Sequence, residues 1–292
     1  MAMNLISCVI FLAFSSAALA MASTSSQNVL VTGAGGQTGK LVMKKLLDRS
    51  GFDPIGVVRT ESSKETLVKE EGIPESKLVV ADICNANDMV TCCEKMDAVI
   101  ICTSATPAPT GEMTPEGRPV FGFPNGMPEE VDWIGQKNQI DAALKASSCK
   151  HVVICSSMGG TNPENPLNKF GRSKDGKTGG NILLWKRKAE KYLIDSGLTY
   201  TIVHPGGLLN EEGGQRELVV GVDDQQVETD NRSIPRADVA ELLIASLEYD
   251  SYKNRSFDAR SKPVGEGKVT TDFDALLKNL KSDCDYSLGE IA

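Results

Sequence analysis

The chain has 292 residues, which is enough for one large domain or two small ones with a substantial hydrophobic core. Its formal net charge is −8, so no chain-wide excess of Lys and Arg indicates binding to nucleic acid. Ordinary solubility accounts for this acidity without an oppositely charged partner.

Residues 1–20 resemble a secretory signal peptide. Positions 5–12 are almost entirely apolar, and Ala18-Leu19-Ala20 forms a small-x-small cleavage pattern. The segment is too short for a comfortable transmembrane helix, so we expect no membrane span in the mature protein. Residues 21–27 form a polar lead-in, and Met21 is an alternative start of the chain; both interpretations stay open.

The eight cysteines are scattered along the chain. Cys8 lies in the leading segment, Cys102 and Cys155 fall in apolar runs, and Cys92 and Cys93 are adjacent. This distribution has neither a compact disulfide framework nor metal-ligand spacing, and the chain has only two histidines, so we expect a reducing compartment and no zinc site. Together with the signal-like start, it indicates either a plastid reached through the secretory route or a cytoplasmic protein with a mis-assigned start. Secretion is less favoured.

From Asn28 onward, short apolar runs alternate with amphipathic stretches. We predict strands at 29–31, 54–59, 77–82, 98–102, 151–155 and 200–203, and helices at 37–48, 64–71, 87–94, 131–146, 182–196 and 237–247. This alternation is typical of an α/β fold with a doubly wound parallel Rossmann sheet. We expect a single domain over 28–292, with a small irregular substrate lobe from about residue 208. Two long Gly- and Pro-containing excursions, at 106–128 and 159–180, are candidates for binding loops.

The turn after the first strand is rich in glycine. Gly33, Gly35, Gly36 and Gly39 follow an apolar run and open an amphipathic helix through Gln37 and Thr38. Gly33 permits a tight turn, Gly36 lets the backbone approach a pyrophosphate, and Gly39 lets the helix pack closely on the strand. The N–H groups at the start of this helix would face an anion. These residues predict a dinucleotide site.

The ends of the next three strands refine this prediction. Arg59 is followed by the hydroxyl and cationic side chains of Thr60, Ser62, Ser63 and Lys64, which suit the extra phosphate of NADP better than the ribose hydroxyls of NAD. At the third strand end, Asp82 and Ile83 suit an adenine, although Asp82 is equally suited to cap the next helix. At the fourth, the small residues Thr103, Ser104 and Ala105 leave room for a nucleotide to lie across them.

The strand at 151–155 ends in Ser156-Ser157-Met158-Gly159-Gly160. With this stretch, the chain resembles the atypical short-chain dehydrogenases/reductases of the extended, NmrA-like kind, particularly plant and algal NADP-binding Rossmann-fold proteins. The resemblance spans most of residues 28–275. It also rests on residues 32–39, 132–138 (Asp-Trp-Ile-Gly-Gln-Lys-Asn), 157–163 (Ser-Met-Gly-Gly-Thr-Asn-Pro), 185–190 (Trp-Lys-Arg-Lys-Ala-Glu), 205–208 (Pro-Gly-Gly-Leu) and 235–240 (Pro-Arg-Ala-Asp-Val-Ala).

The resemblance implies a catalytic serine, matched by Ser157, and a Tyr-x-x-x-Lys motif whose lysine is matched by Lys188. Leu184 stands four residues before Lys188, so the tyrosine that transfers the proton is missing. Pro205 and Gly206 would face the carboxamide edge of the nicotinamide. The residue before them, His204, stands where the family commonly has arginine, and we interpret it as structural rather than as a ligand contact.

Two functions follow from this resemblance. The first is an NADP(H)-dependent oxidoreductase that holds a small or medium apolar substrate under the two excursions, such as a flavin, a quinone or another conjugated compound. The alternative is a non-catalytic NADP-binding redox sensor, or an assembly or regulatory protein with a protein partner. A nucleotide-sugar epimerase or dehydratase is a weaker third interpretation, because those reactions depend on the missing tyrosine.

Overall fold

The computed structural model describes residues 26–173, 179–227 and 229–291. The predicted targeting segment at 1–20 and nearly all of the lead-in at 21–27 lie outside the described residues, so their roles stay predictions.

Strands and helices alternate along the described part of the chain. The strands are β1 (Gln27–Thr32), β2 (Phe52–Val58), β3 (Leu78–Val80), β4 (Ala98–Ile101), β5 (Ala108–Met113), β6 (Pro119–Gly122), β7 (His151–Cys155), β8 (Thr199–Pro205), β9 (Gly207–Leu209), β10 (Leu218–Gly221), β11 (Ser233–Pro235) and β12 (Arg255–Ser261). The helices are α1 (Gln37–Leu47), α2 (Glu61–Glu71), α3 (Ala86–Cys93), α4 (Gln136–Lys145), α5 (Ile182–Asp195), α6 (Arg236–Glu248) and α7 (Phe273–Lys278). A π-helical segment, Glu129–Gly135, leads directly into α4.

The central sheet has eight strands in the order β10-β12-β8-β7-β4-β1-β2-β3. Seven of them run parallel, and β10 pairs antiparallel with β12 at the edge. All six predicted strands are in this sheet, so the predicted doubly wound parallel sheet is confirmed. The order is that of a Rossmann fold, which places the carboxyl ends of β1, β2, β4 and β7 along one edge.

The apolar strands are buried on both faces, as helices on both sides of a parallel sheet require. On β1, Val29 and Val31 point into one core, which also contains Met43 of α1 and Leu243 of α6. Leu30 points into the opposite core, which contains Ile140 of α4. Alternating side chains of one continuous apolar run therefore serve both layers, and this arrangement fixes the position of the strand ends at the site.

The region after residue 208 contributes more to the main fold than the sequence predicts. β12 and β10 extend the central sheet. α6 packs beside α1, and Oε1 of Glu241 forms an ion pair with Nζ of Lys45 at 2.6 Å. β12 was not predicted, because its buried positions include the polar residues Ser256 and Asp258 and it therefore has no continuous apolar run. Among the described residues of this region, the β9–β11 pair, the short helix α7 and the connecting loops lie outside the central sheet, and their role as a substrate lobe stays a prediction.

The first excursion also contains regular structure: β5 and β6 pair as an antiparallel hairpin. Within the described ranges, no helix is both long enough and apolar enough to cross a membrane.

His151 lies at the amino end of β7, at the sheet edge opposite the glycine turn. Its Nε2 atom lies 2.9 Å from Oγ1 of Thr201, whose hydroxyl donates to the carbonyl oxygen of Tyr252 at 2.7 Å. Burial, with a smaller contribution from the charge of Lys253, lowers the pKa of His151 to about 4. The imidazole is therefore neutral in the folded protein near pH 6.

This lowered pKa makes stability depend on pH. Below the ordinary histidine pKa of about 6.5, His151 binds a proton in the unfolded chain but stays neutral in the folded protein. The contribution of His151 to the free energy of unfolding is therefore fully present above about pH 6.5 and is lost as the pH falls toward about 4. We expect the free energy of unfolding to fall by about 2 kcal/mol between pH 7 and pH 5 from this residue. Urea denaturation at both pH values measures the change. The His151→Gln variant should lose that part of the dependence; an equal slope in both proteins would contradict the assignment.

Candidate functional site

A cleft of about 1310 Å³ opens at the carboxyl ends of the parallel strands. It extends from the glycine turn after β1 to the end of β8. Most of the residues predicted for the cofactor and substrate line it together: Gly33, Gly35, Gly36, Gln37, Thr38, Arg59, Asp82, Ile83, Thr103, Ser104, Ala105, Ser157, Pro205 and Gly206. Four predicted residues are not among the residues that line it: Gly39, Ser62, Lys64 and Lys188.

The glycine turn has the geometry of an anion cradle. Gly33 has a φ of +70°, and a Cβ there would lie 2.8 Å from the carbonyl carbon of Cys102 on the neighbouring strand. A Cβ on Gly39 would lie 2.2 Å from the carbonyl oxygen of Gly33, so Gly39 allows α1 to pack against the turn, as predicted. Gly36 is the N-cap residue of α1 and carries no side chain to bond the free N–H groups. The helix therefore begins with exposed donors and a positive dipole end that suit a pyrophosphate.

The end of β2 supplies cationic and hydroxyl groups. Arg59 is exposed, and its two terminal nitrogens donate to the backbone and side-chain oxygens of Asn125, at 2.6 and 3.2 Å. Thr60 caps α2 by accepting from the backbone N–H of Ser63 at 3.1 Å. Nζ of Lys64 forms an ion pair with Oε1 of Glu75 at 3.2 Å. The guanidinium of Arg59 thus stands at the cleft mouth, bridging to the first excursion.

Asp82 both lines the cleft and stabilises its own turn. Its carboxylate accepts from the backbone N–H of Cys84 at 2.9 Å. The N-cap of α3 is Asn85, which accepts from the N–H of Asn87. The alternative in which Asp82 caps the next helix is therefore wrong.

A buried ion pair lies between the π-helical segment and α5. The ammonium of Lys186 is 2.7 Å from Oδ1 of Asp132, and these residues are 5% and 0% exposed. The other oxygen of Asp132 accepts from the backbone N–H of Ala105 at 2.9 Å. Because Ala105 follows β4 and Lys186 belongs to α5, these contacts link the two elements. Lys186 also lines the cleft.

The position of the lysine needs correction. Lys188, which the sequence analysis matched to the family lysine, has its ammonium 4.9 Å from the ring centroids of both Trp133 and Trp185. Two residues correspond to a rotation of about 200° around a helix, so Lys186 and Lys188 lie on opposite faces of α5. Ile182 and Lys186, four residues apart on one face of α5, both line the cleft, whereas Leu184 and Lys188 do not.

The end of the cleft beside β7 contains hydroxyl and thiol groups. The Ser157 hydroxyl donates to the backbone oxygen of Met158 at 3.0 Å, and Cys102 and Cys155 also line the cleft. Burial raises the pKa of Cys155 to about 11 despite the nearby charge of Lys186, so its thiol is protonated at neutral pH. Burial likewise raises the pKa of Cys102 well above its ordinary value. Among the described residues that line the cleft there is no tyrosine.

The two excursions meet over α5. The rings of Phe121 and Phe170 have centroids 5.3 Å apart, and the N–H of Gly171 donates to the Phe121 carbonyl at 3.1 Å. Phe123, Phe170 and Leu183 line the outer part of the cleft. This part of the cleft is therefore apolar and covered by both excursions.

His204 does not line this cleft. It is buried behind the Ser156 strand end, with its Nε2 atom 3.1 Å from Oε2 of Glu190. Burial alone would raise the pKa of Glu190, but the charge of His204 and hydrogen bonds from His204 and Ser156 outweigh it and lower the pKa to about 2. Since the Ser156 hydroxyl donates to the other Glu190 oxygen, this pair stabilises the turn that carries Ser157.

Comparison with known proteins agrees with this geometry. Residues 33–250 match the family model described as NAD(P)H-binding. An uncharacterised chloroplastic protein of Arabidopsis thaliana is 48% identical over 261 residues, covering 88% of this chain and 76% of its own length. The sanguinarine reductase of Eschscholzia californica is 45% identical over 279 residues, covering 88% of this chain and 97% of its own.

Among solved structures, a putative NAD-dependent epimerase/dehydratase from Bacillus halodurans superimposes with a TM-score of 0.65 at 24% identity. The match covers 87% of this chain and all of that one. At that identity the likeness concerns the fold. The sequence matches, the glycine cradle and the strand order together show that this chain belongs to the NAD(P)H-binding family of Rossmann-fold proteins, as an atypical short-chain dehydrogenase/reductase.

Proposed function

We propose that the protein is an NADP(H)-dependent reductase of a flat, conjugated electrophile that can accept a hydride without a proton from a protein side chain. The observation that carries the proposal is the cleft itself. One continuous space extends from the glycine cradle to apolar side chains of the two excursions, and Ile182, which cannot donate a proton, lines it one helical turn before Lys186.

Several residues fit the cofactor. The free N–H groups at the start of α1 would bind the pyrophosphate, and Arg59 would bind the 2′-phosphate by exchanging Asn125 for phosphate oxygens. Asp82 and Ile83 would contact the adenine. Lys186, held by Asp132, would donate to the ribose hydroxyls next to the nicotinamide. Pro205 and Gly206 would close the carboxamide edge.

The reduced nicotinamide, when bound, supplies a hydride. An acceptor that already carries positive charge, such as an iminium ion, becomes a neutral amine on taking up that hydride and needs no proton. A quinone would become a hydroquinone anion on taking up the hydride and would take the one proton that it still needs from water. Ser157 would orient the acceptor, and the apolar residues Phe123, Phe170 and Leu183 would cover its flat face and exclude bulk water.

The sanguinarine reductase of Eschscholzia californica supports this substrate class through its name. Sanguinarine is a flat iminium cation, and that relative is 45% identical to this chain. We therefore propose sanguinarine as the first compound to test, followed by quinones and flavins. We also propose a plastid as the compartment, because the Arabidopsis relative is described as chloroplastic.

The glycine turn gives a test that separates binding from folding. In Gly36→Asp, the new carboxylate sits at an N-cap, where it stabilises the helix, and it occupies the anion site. We expect the midpoint of thermal unfolding to stay the same or rise while NADPH affinity falls at least ~10-fold, measured by quenching of protein fluorescence. Gly51→Asp, at a turn with open space around it, is the control. Unchanged affinity in Gly36→Asp would remove the pyrophosphate from this turn.

The preference for NADP rests on Arg59. In Arg59→Asp we expect NADPH affinity to fall ~10- to 100-fold, because a charge-assisted bond to the 2′-phosphate is replaced by repulsion. NADH affinity should change less than ~3-fold, since NADH has no phosphate there. Isothermal titration calorimetry of both cofactors on both proteins measures the difference. An equal loss for the two cofactors would place the 2′-phosphate elsewhere.

The two lysines of α5 can be compared directly. We expect Lys186→Met combined with Asp132→Asn, which removes the buried pair without leaving one charge alone, to lower kcat/KM for NADPH at least ~10-fold. Lys188→Met, on the opposite helix face, should change it less than ~2-fold. Circular dichroism checks that both variants are folded. A larger loss in Lys188→Met than in the double variant would restore the sequence-based assignment.

The non-catalytic alternative has its own observation, the absence of a tyrosine among the described residues of the cleft. If NADPH binds and the panel of sanguinarine, quinones and flavins gives no turnover, a binding protein becomes the better interpretation. It then predicts unequal affinities of the NADPH- and NADP-loaded forms for a protein partner.

A further inference from the structure

We propose that His204, Asp258 and Cys284 form a zinc site behind the dinucleotide cleft. The three residues come from β8, from β12 and from the segment at 279–291, far apart in sequence. The fold nevertheless brings one nitrogen, one oxygen and one sulfur ligand atom to a common point.

The distances between the ligand atoms fit a tetrahedral ion. Nδ1 of His204 lies 3.5 Å from Oδ1 of Asp258 and 3.6 Å from Sγ of Cys284, and Sγ lies 3.9 Å from that oxygen. Tetrahedral zinc, with bonds of about 2.0 Å to nitrogen and oxygen and about 2.3 Å to sulfur, separates such ligands by about 3.3 to 3.6 Å. Each pair therefore has to close by only a few tenths of an ångström.

Each ligand is held in place by a group behind it. Oε2 of Glu190 lies 3.1 Å from Nε2 of His204, the carboxylate–histidine arrangement that directs the other ring nitrogen at a metal. Tyr286 donates to the same Glu190 oxygen at 3.0 Å and so fixes that carboxylate. The second oxygen of Asp258 accepts from the backbone N–H of Asp224 at 2.7 Å, which leaves Oδ1 for the ion.

The backbone of Cys284 is equally constrained. Its N–H lies 3.1 Å from both the carbonyl oxygen and the hydroxyl oxygen of Ser256 on β12. The thiol is thus held beside the sheet, half-buried, and remains within reach of an entering ion. The adjoining cavity, about 10 Å³, has room for about one water as a fourth ligand.

The donor set points to zinc among the common divalent ions. Imidazole and thiolate together favour zinc over magnesium and calcium, which prefer oxygen ligands. A carboxylate and a thiolate would balance the two charges of the ion, and the protons of the thiol and of the ring Nδ1 would leave on binding. The bound ion would fasten the segment at 279–291 to β8 and β12.

The experiment uses the untagged full chain, stripped of metal by a chelator and titrated with zinc in competition with a chromophoric indicator. We expect one zinc per chain, with affinity lowered at least ~10-fold in Cys284→Ser and in Asp258→Asn. Cys84→Ser, at an exposed cysteine outside this group, is the matched control and should bind like the parent. Circular dichroism verifies the fold of every variant.

Substitution with cobalt adds a readout that does not depend on affinity. The parent protein should show visible d–d bands of tetrahedral cobalt and a near-ultraviolet charge-transfer band from the thiolate. Cys284→Ser should lose the charge-transfer band and Cys84→Ser should keep it. Zinc should also slow alkylation of Cys284 by iodoacetamide, mapped by mass spectrometry. Failure to bind one zinc per chain, or a cobalt spectrum without a thiolate band, would overturn the proposal.

Discussion

The close approach of α1 to the end of β1 is the constraint on which the rest of the structure depends. A side chain at Gly39 would collide with the carbonyl oxygen of Gly33, so only glycine lets the helix begin at this point. The same approach aims the first N–H groups of the helix across the strand ends. Because the strands are parallel, every other ligand-facing residue must come from the loops at this edge. The position of one helix thus determines where Arg59, Thr103 and Ser157 can act.

The ion pair of Lys186 and Asp132 constrains the part of the cleft between β4 and α5, as the glycine turn constrains the part beside β1. Desolvating two charges costs several kcal/mol, so burial of this pair is weak evidence for stability. Its contacts indicate a different role. Asp132 bonds the backbone of Ala105 at the end of β4, while Lys186 belongs to α5, so the pair fixes the distance between two walls of the cleft. A lysine held in this way presents its remaining ammonium hydrogens in a defined direction, which a freely rotating side chain would not do.

Much of the fold could be predicted from the sequence because apolar runs such as 98–102 are buried on both faces and are easily recognised. The glycine turn could also be predicted, since the spacing of its glycines depends directly on the backbone geometry that the turn requires. β12 could not be recognised in this way, because Ser256 and Asp258 are buried through hydrogen bonds that only the tertiary structure supplies. The sequence does contain the information needed to choose between Lys186 and Lys188. The buried face of α5 is marked by apolar residues at helical spacing, and Lys186 lies on that face with Ile182, Leu183, Ala189 and Leu193.

Buried polar residues behind the cleft explain why an apolar pattern is missing from this part of the chain. Glu190, His204 and Asp258 occupy positions where a parallel sheet and its helices normally carry apolar side chains, so hydropathy gives no signal there. They remain buried because each finds a partner on another element. Glu190 also receives the hydroxyl of Ser156, so the network is joined to the strand end that carries Ser157. The network of Glu190, His204 and Asp258 thus holds the end of the cleft beside Ser157 through hydrogen bonds. The glycine turn holds the opposite end through close packing.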